Sequence, residues 1–201
     1  MSAVINYKIP SRNWELIRDK IGAILFVELD NQYTNYYTQE ANIDSVTVEK
    51  TNPEDHIEFS TVNVSLAENN FDNDHQGTAD GSNMYTIDCY VKYKTRKDQP
   101  GDKYAQYKLQ RLLGLVWGIL KDPRYKTLGY TVPFIKSTKV IKNELRAPSA
   151  ADAANSAMGR VLFKVDAVEN VELMDAIELQ SSVTGVKLGL TDYGYQYIYE
   201  A

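Results

Sequence analysis

Apolar and polar residues alternate most regularly from Tyr85 to Tyr93, where Tyr85, Ile87, Cys89, Val91 and Tyr93 share one face of a predicted strand. A partner strand precedes it, with Ile57, Phe59, Val62, Val64 and Leu66 in the same pattern except for a one-residue slip at Ser60-Thr61 that reads as a bulge or bend. Between the two, Ala67 to Asn83 is acidic and amide-rich with almost nothing to bury, so the spacing predicts a hairpin with a long loop. Helical periodicity appears twice. Trp14, Ile17, Ile21, Ile24 and Leu25 place a helix over about Arg12 to Leu29, with Ser11 as its cap, after an extended arm at Met1 to Pro10. Ala105, Leu109, Leu112, Leu113, Val116, Ile119 and Leu120, widened by Trp117, place a stronger helix over Asp102 to Lys121, ended by Asp122-Pro123. Gly114 and Gly118 each cost about 1 kcal/mol of helix propensity relative to alanine, and their spacing suits close approach of another backbone.

The remaining chain is read more coarsely. Asn31 to Asn42 is polar and tyrosine-rich, hence a loop, and a short strand follows around Val46 and Val48 before Thr51-Asn52-Pro53. Val132 to Leu145 has an irregular pattern for one or two short strands, and Ala147 to Met158 is an Ala/Ser-rich exposed loop or short helix. Val161, Phe163, Val165 and Ala167 mark a strand, Val171 to Leu179 has no clear pattern, and residues 183–201 carry two tyrosine-rich strands parted at Asp192. The expected fold is α+β: a mainly antiparallel sheet with a long-loop hairpin, packed by two principal amphipathic helices, in a single domain spanning 1–201.

Composition adds an asymmetry. The net charge of −5 hides 14 Lys and Arg against 4 Asp and Glu in residues 92 to 146, and 8 against 23 elsewhere; Lys50 is the one base between residues 28 and 91. Such segregation suits attraction between copies or partners, or the solvated face of a long basic helix. Fifteen tyrosines, with Tyr33, Tyr36 and Tyr37 in one cluster and Tyr193, Tyr195, Tyr197 and Tyr199 alternating in another, suit interfaces. With no apolar window near the roughly 20 residues that cross a bilayer and no signal-like N-terminus, a soluble protein without membrane contact is expected.

A search for chemistry returns little. His56 and His75 have no paired ligand spacing, and Cys89 falls on an apolar strand face, where a thiol acts as a small hydrophobe rather than half of a Cys–His dyad. Asp72-Asn73-Asp74-His75-Gln76-Gly77 opens like a calcium loop, but position twelve is Asn83 rather than a bidentate glutamate. No glycine-rich phosphate cradle is present. No catalytic, cofactor-binding or metal residue is therefore assigned, and no cofactor or enzymatic activity is expected. Nucleic-acid binding is the alternative that the basic segment raises: Lys94, Arg96, Lys97, Lys103, Lys108 and Arg111 could meet phosphates while Tyr93, Tyr104 and Tyr107 stack on bases. The overall acidity, and the apolar stripe on one side of the same helix, oppose it.

The element order resembles the tail terminator, or tail completion, proteins of tailed bacteriophages: an N-terminal helix, a strand pair over Ile57 to Tyr93, a basic apolar-striped helix over Asp102 to Lys121, then strands from Val161. The resemblance spans most of the chain and rests on layout rather than a diagnostic motif. It implies helices on a mainly antiparallel sheet and a homo-oligomeric, hexameric ring in the virion tail or neck. Such a ring caps the tail tube and joins it to the head connector, with tube, connector and sheath proteins as partners. Genomic DNA would pass through the ring without sequence-specific binding. Another neck, tube or baseplate component is the neighbouring alternative. In a ring, Asp72, Asp74 and Asp80 would keep a DNA passage non-adhesive. Arg96, Lys97, Lys103, Lys108 and Arg111 would meet an acidic neighbour, and the strand bearing Tyr193, Tyr195, Tyr197 and Tyr199 would dock on another subunit.

Overall fold

The computed structural model describes residues 11–50, 60–75, 78–93, 101–131, 134–146, 156–170, 181–185 and 196–200; for 72–75, 78–79, 101–102, 170, 181–185 and 196–200 it describes the backbone alone. Helix α1 spans Asn13–Thr34, followed by β1 (Ser45–Val48), β2 (Ser60–His75), β3 (Thr78–Lys92), helix α2 (Gly101–Lys121), β4 (Ile135–Arg146), β5 (Ser156–Asn170), β6 (Ser181–Gly185) and β7 (Gln196–Glu200). The fold is α+β, with two helices on a mixed, mostly antiparallel five-stranded sheet of order β1-β2-β3-β5-β4. β1 alone runs parallel to its neighbour. The contacts divide the chain into two compact units, and the five-stranded sheet and both helices belong to the unit Pro10–Val171. The other contains β6 and β7, paired antiparallel from Ser181↔Glu200 to Gly185↔Gln196. The expected arm at 1–10, and residues 147–155 and 171–180, lie outside the described residues.

The core lies between the helices and one sheet face. Every inward residue expected of α2 is buried, as are Ile17, Ile21, Ile24 and Leu25 of α1, against Val62 and Val64 of β2, Tyr85, Ile87, Cys89 and Val91 of β3, and Val161, Phe163, Val165 and Ala167 of β5. Each such fully buried aliphatic side chain contributes about 1.5–3 kcal/mol by leaving water. Cys89 belongs to this core, and burial pushes its thiol pKa far above the ordinary value. Trp117 does not widen the α2 stripe as expected; it faces outward under the Lys121 ammonium, 5.9 Å from the ring centroid.

Four boundaries differ from the sequence reading, the simplest being the start of β5: Ser156, Ala157 and Met158, expected in an exposed loop or short helix, pair with β3, and Ala157 is buried. Ser11 is not the cap of α1. The N-cap is Arg12, whose N–H donates to the Glu15 carboxylate at 2.7 Å, while the Asn13 N–H donates to both oxygens of Glu169, at 2.9 and 3.0 Å. The helix also runs on to Thr34, past Leu29, and the chain turns at Tyr37 with φ 55°. The remaining difference is the largest: Ala67 to Asn83 is not a long loop. β2 and β3 stay paired from Ser60↔Val91 to His75↔Thr78, leaving Gln76 and Gly77 outside the described residues. β5 flanks β3 along this whole stretch, so the ladder satisfies the backbone where few apolar side chains could.

The predicted slip at Ser60-Thr61 is likewise absent. Pairing is continuous from Ser60 to Leu66, and the irregularities fall at Leu66/Glu68 and Phe71/Asn73. The first re-phases β2 so that Phe71 faces the helices and meets Trp14 edge-on, with centroids 5.8 Å apart. β4 is one strand, and its bulges at Ile135/Ser137 and Val140/Lys142 account for its irregular apolar pattern.

Candidate assembly surfaces

The first surface is the outer side of the helical layer. α1 buries Ile17, Ile21, Ile24, Leu25 and Leu29, yet it also carries Leu16, Phe26, Val27 and Tyr33 on its exposed side. A helix with apolar residues all round is ordinarily buried all round. Here Phe26 is 56% exposed and Val27 61%, with Tyr107 at 63% and Trp117 at 45% on α2. Tyr36 and Tyr37, just beyond α1, are exposed as well.

Gly114 and Gly118 face outward, and a Cβ built on either would meet nothing within 4 Å. They floor a groove of about 190 Å³ between the helices, walled by Glu28, Gln32, Leu115, Ile119 and Tyr125. Tyr125 Oη donates to Glu28 Oε1 at 2.5 Å; that bond first, and burial second, raise the phenol pKa. Arg124 sits at the rim, 2.9 Å from Asp122 and 3.8 Å from Glu28.

The second surface is the pair of sheet edges. β4 is one, and no strand lies on its outer side among the described residues. Ile141 and Leu145 are exposed there, beside Lys139 and Lys142. The other edge is formed by β1 only from Ser45↔Thr61 to Val48↔Val64. Glu49 closes this pairing: its N–H donates to the Val64 carbonyl at 2.9 Å and its carboxylate accepts the Leu66 N–H at 2.7 Å. Beyond that point the distal half of β2, with Glu68, Asp72 and Asp74, has no described strand outside it.

The residues expected at an interface are dispersed over these surfaces. Asp72 and Asp74 lie in distal β2, where only the backbone is described; Asp80 in β3 pairs with Lys136 at 2.7 Å. Lys103 and Arg111 are exposed on α2. Lys108 is half-buried and donates to the Asn42 carbonyl at 3.0 Å, and burial lowers its ammonium pKa. Arg96, Lys97, Tyr193 and Tyr195 lie outside the described residues. Tyr197 and Tyr199 stand in β7 opposite Thr184 and Ser182. Of the aromatic residues considered for base stacking, Tyr93 and Tyr104 stack on each other with centroids 5.4 Å apart.

Sequence reasoning missed Phe26, Val27, Glu68 and Lys139. Phe26 and Val27 were legible, because both fall off the Ile17-Ile21-Leu25 stripe on a helical wheel. Lys139 and Glu68 were not, since their place depends on strand order. Among the described residues no three or more His, Cys, Asp or Glu gather as a metal site, and no helix is long and apolar enough to cross a membrane.

No protein-family model matches the sequence, and no curated protein does. Among solved structures, the chain is similar to a chain in the virion of a native gene transfer agent particle. The TM-score is 0.44 at 12% identity, covering 74% of this chain and 94% of that one. A likeness of that size bears on neither family nor function.

Proposed function

We propose that this chain is a structural protein of a tailed, phage-like particle, forming a hexameric ring at the head-proximal end of the tail that caps the tube and joins it to the head connector. The observation that carries an assembly role is the helical face: Phe26, Val27, Tyr107 and Trp117 all stand in water in a single copy. Exposed apolar side chains of this kind suit a protein contact, in which aromatic residues are enriched. Unlike open edges at the two ends of the sheet support head-to-tail closure, and the element order supports the tail-terminator placement. In this reading the hairpin tip carries Asp72 and Asp74 toward the DNA passage, where carboxylates repel phosphate, while the charge of Asp80 is offset by Lys136, and the β6–β7 pair docks on another subunit or a tube protein.

Direct nucleic-acid recognition is the weaker reading. Lys108 is spent on a carbonyl of its own chain, and Tyr93 and Tyr104 cover each other. Immunogold labelling of purified particles tests the placement. Gold at the head-proximal tail end is expected; label along the tail, at the baseplate, or absent from particles contradicts it.

A further inference from the structure

We propose that copies of this chain join by adding the first half of β4, Ile135–Val140, antiparallel to the distal half of β2 in the next copy, with Lys139 and Glu68 paired across the seam. The inference rests on the ring reading above and names its interface.

The strand order determines the direction of such a joint. β1 and β2 run together, β3 runs against β2, β5 against β3, and β4 against β5. A second sheet continuing the first therefore presents β2 antiparallel to β4, the pairing that exchanges ladder hydrogen bonds most favourably. An edge strand carries a row of unpaired N–H and C=O groups, and addition of another strand satisfies them.

The registers then place the residues. Glu68 stands opposite Met84, Met84 opposite Lys164, and Lys164 opposite Lys139, so Glu68 and Lys139 occupy one row at the two ends of the sheet. Leu66, Tyr85, Phe163 and Val140 form the next row, and Phe71, Gly81, Ala167 and Ile135 a row further out. Tyr85 and Phe163 face the helices, so alternation puts Glu68 and Lys139 together on the other, helix-free face. Both are exposed, and among the described residues the Glu68 carboxylate accepts a local bond, at 2.9 Å, from the Asn70 amide. β1 covers the rows from Thr61 to Val64, which are the rows of β4 from Arg146 to Asn143. The bulge at Val140/Lys142 bends β4 where the clear edge of β2 gives way to β1. The joint is thus confined to the half of each strand that has room for it.

Charge supports a second copy as the occupant. The edge at β4 brings Lys136, Lys139 and Lys142, whereas distal β2 brings Glu68, Asp72 and Asp74 and no Lys or Arg. Lys136 pairs with Asp80 and Lys142 with Glu144 of the same chain, leaving Lys139 as the lysine for the seam. Like edges would repel and unlike edges attract, which favours head-to-tail over two-fold pairing.

The test uses the full chain. Lys139→Glu and Glu68→Lys should each lower the fraction of chain in rings, by negative-stain microscopy and sedimentation, at least about tenfold, and the double exchange should restore most of it. Thermal unfolding of each variant separates a broken seam from a misfolded monomer. As a second measurement, Lys139→Cys with Glu68→Cys should give a ladder of covalent oligomers on oxidation, while either single variant stops at dimer; Cys89 is buried and silent. Within one copy the two positions are three strand spacings apart, about 14 Å, too far for a disulfide. Rings indifferent to both reversals, with no ladder from the pair, overturn this seam and leave the ring reading standing. A ladder without ring closure keeps the seam and sinks the ring, and neither rings nor ladder sinks both.

Discussion

Asp88 and Arg160 face each other across β3 and β5 on the helix-free side of the sheet, joined by two charge-assisted bonds of 2.5 and 2.6 Å. Asp88 is buried, and its hydrogen bonds and charge raise the Arg160 pKa. Removing Asp88 leaves a half-buried guanidinium that water can reach in part, so Asp88→Ala should lower stability to denaturant by about 1–3 kcal/mol, and a paired substitution by apolar residues by less. An equal loss in the single and double variants would contradict this account. Glu169 carries a different prediction. Burial raises its pKa, against the opposing bond from the Asn13 N–H. A carboxyl with a raised folded pKa contributes stability fully below the ordinary glutamate value, about 4.3, and loses it as pH rises through the raised value. The stability of the parent relative to Glu169→Gln should therefore fall as pH rises across that window. A gap that stays flat or widens, measured by urea unfolding at a series of pH values, would show the carboxylate to be better solvated than its burial indicates.

Glycines separate the two sides of the helical layer at the scale of elements. A Cβ at Gly159 in β5 would stand 2.7 Å from Leu113 Cδ1 and 3.2 Å from the Glu144 carbonyl, so this glycine lets α2 lie close on the sheet. Gly159→Ala should destabilise by about 1–3 kcal/mol. Gly118→Ala, in open space on α2, should instead stabilise the isolated chain by up to about 1 kcal/mol, and any loss of assembly on that background would assign the groove to a partner. Thermal unfolding of the two variants reads both signs.

Periodicity made α2 legible to within a residue and identified β5 and the apolar half of β3, because burial on one face leaves a repeating mark. It failed on distal β2 and β3, where Glu68, Asn69, Asn83 and Ser82 are held by ladder bonds to strands on either side rather than by side-chain burial. It found the inward stripe of α1 but not the start of that helix, where the N-cap is Arg12 and the Asn13 N–H is served by Glu169, 156 positions away in sequence. The charge asymmetry was countable in the sequence. Its division between two sheet edges was not, since no local signal places β5 between β3 and β4.

Across the whole molecule, a basic segment of net +10 and a remainder of net −15 sit in one chain of 22.8 kDa. The sheet order sends part of each to opposite edges, and the helical layer leaves aromatic residues in water. A subunit built this way gains by closing on copies of itself, and attraction between exposed charges weakens as salt shortens the Debye length from about 10 Å at 0.1 M to 3 Å at 1 M. Native mass spectrometry of the full chain, at rising concentration and with isolated tail tubes present, tests the assembly claim most directly. The account predicts a closed species of six chains that recedes as salt is raised. A 22.8 kDa monomer under all these conditions would contradict it.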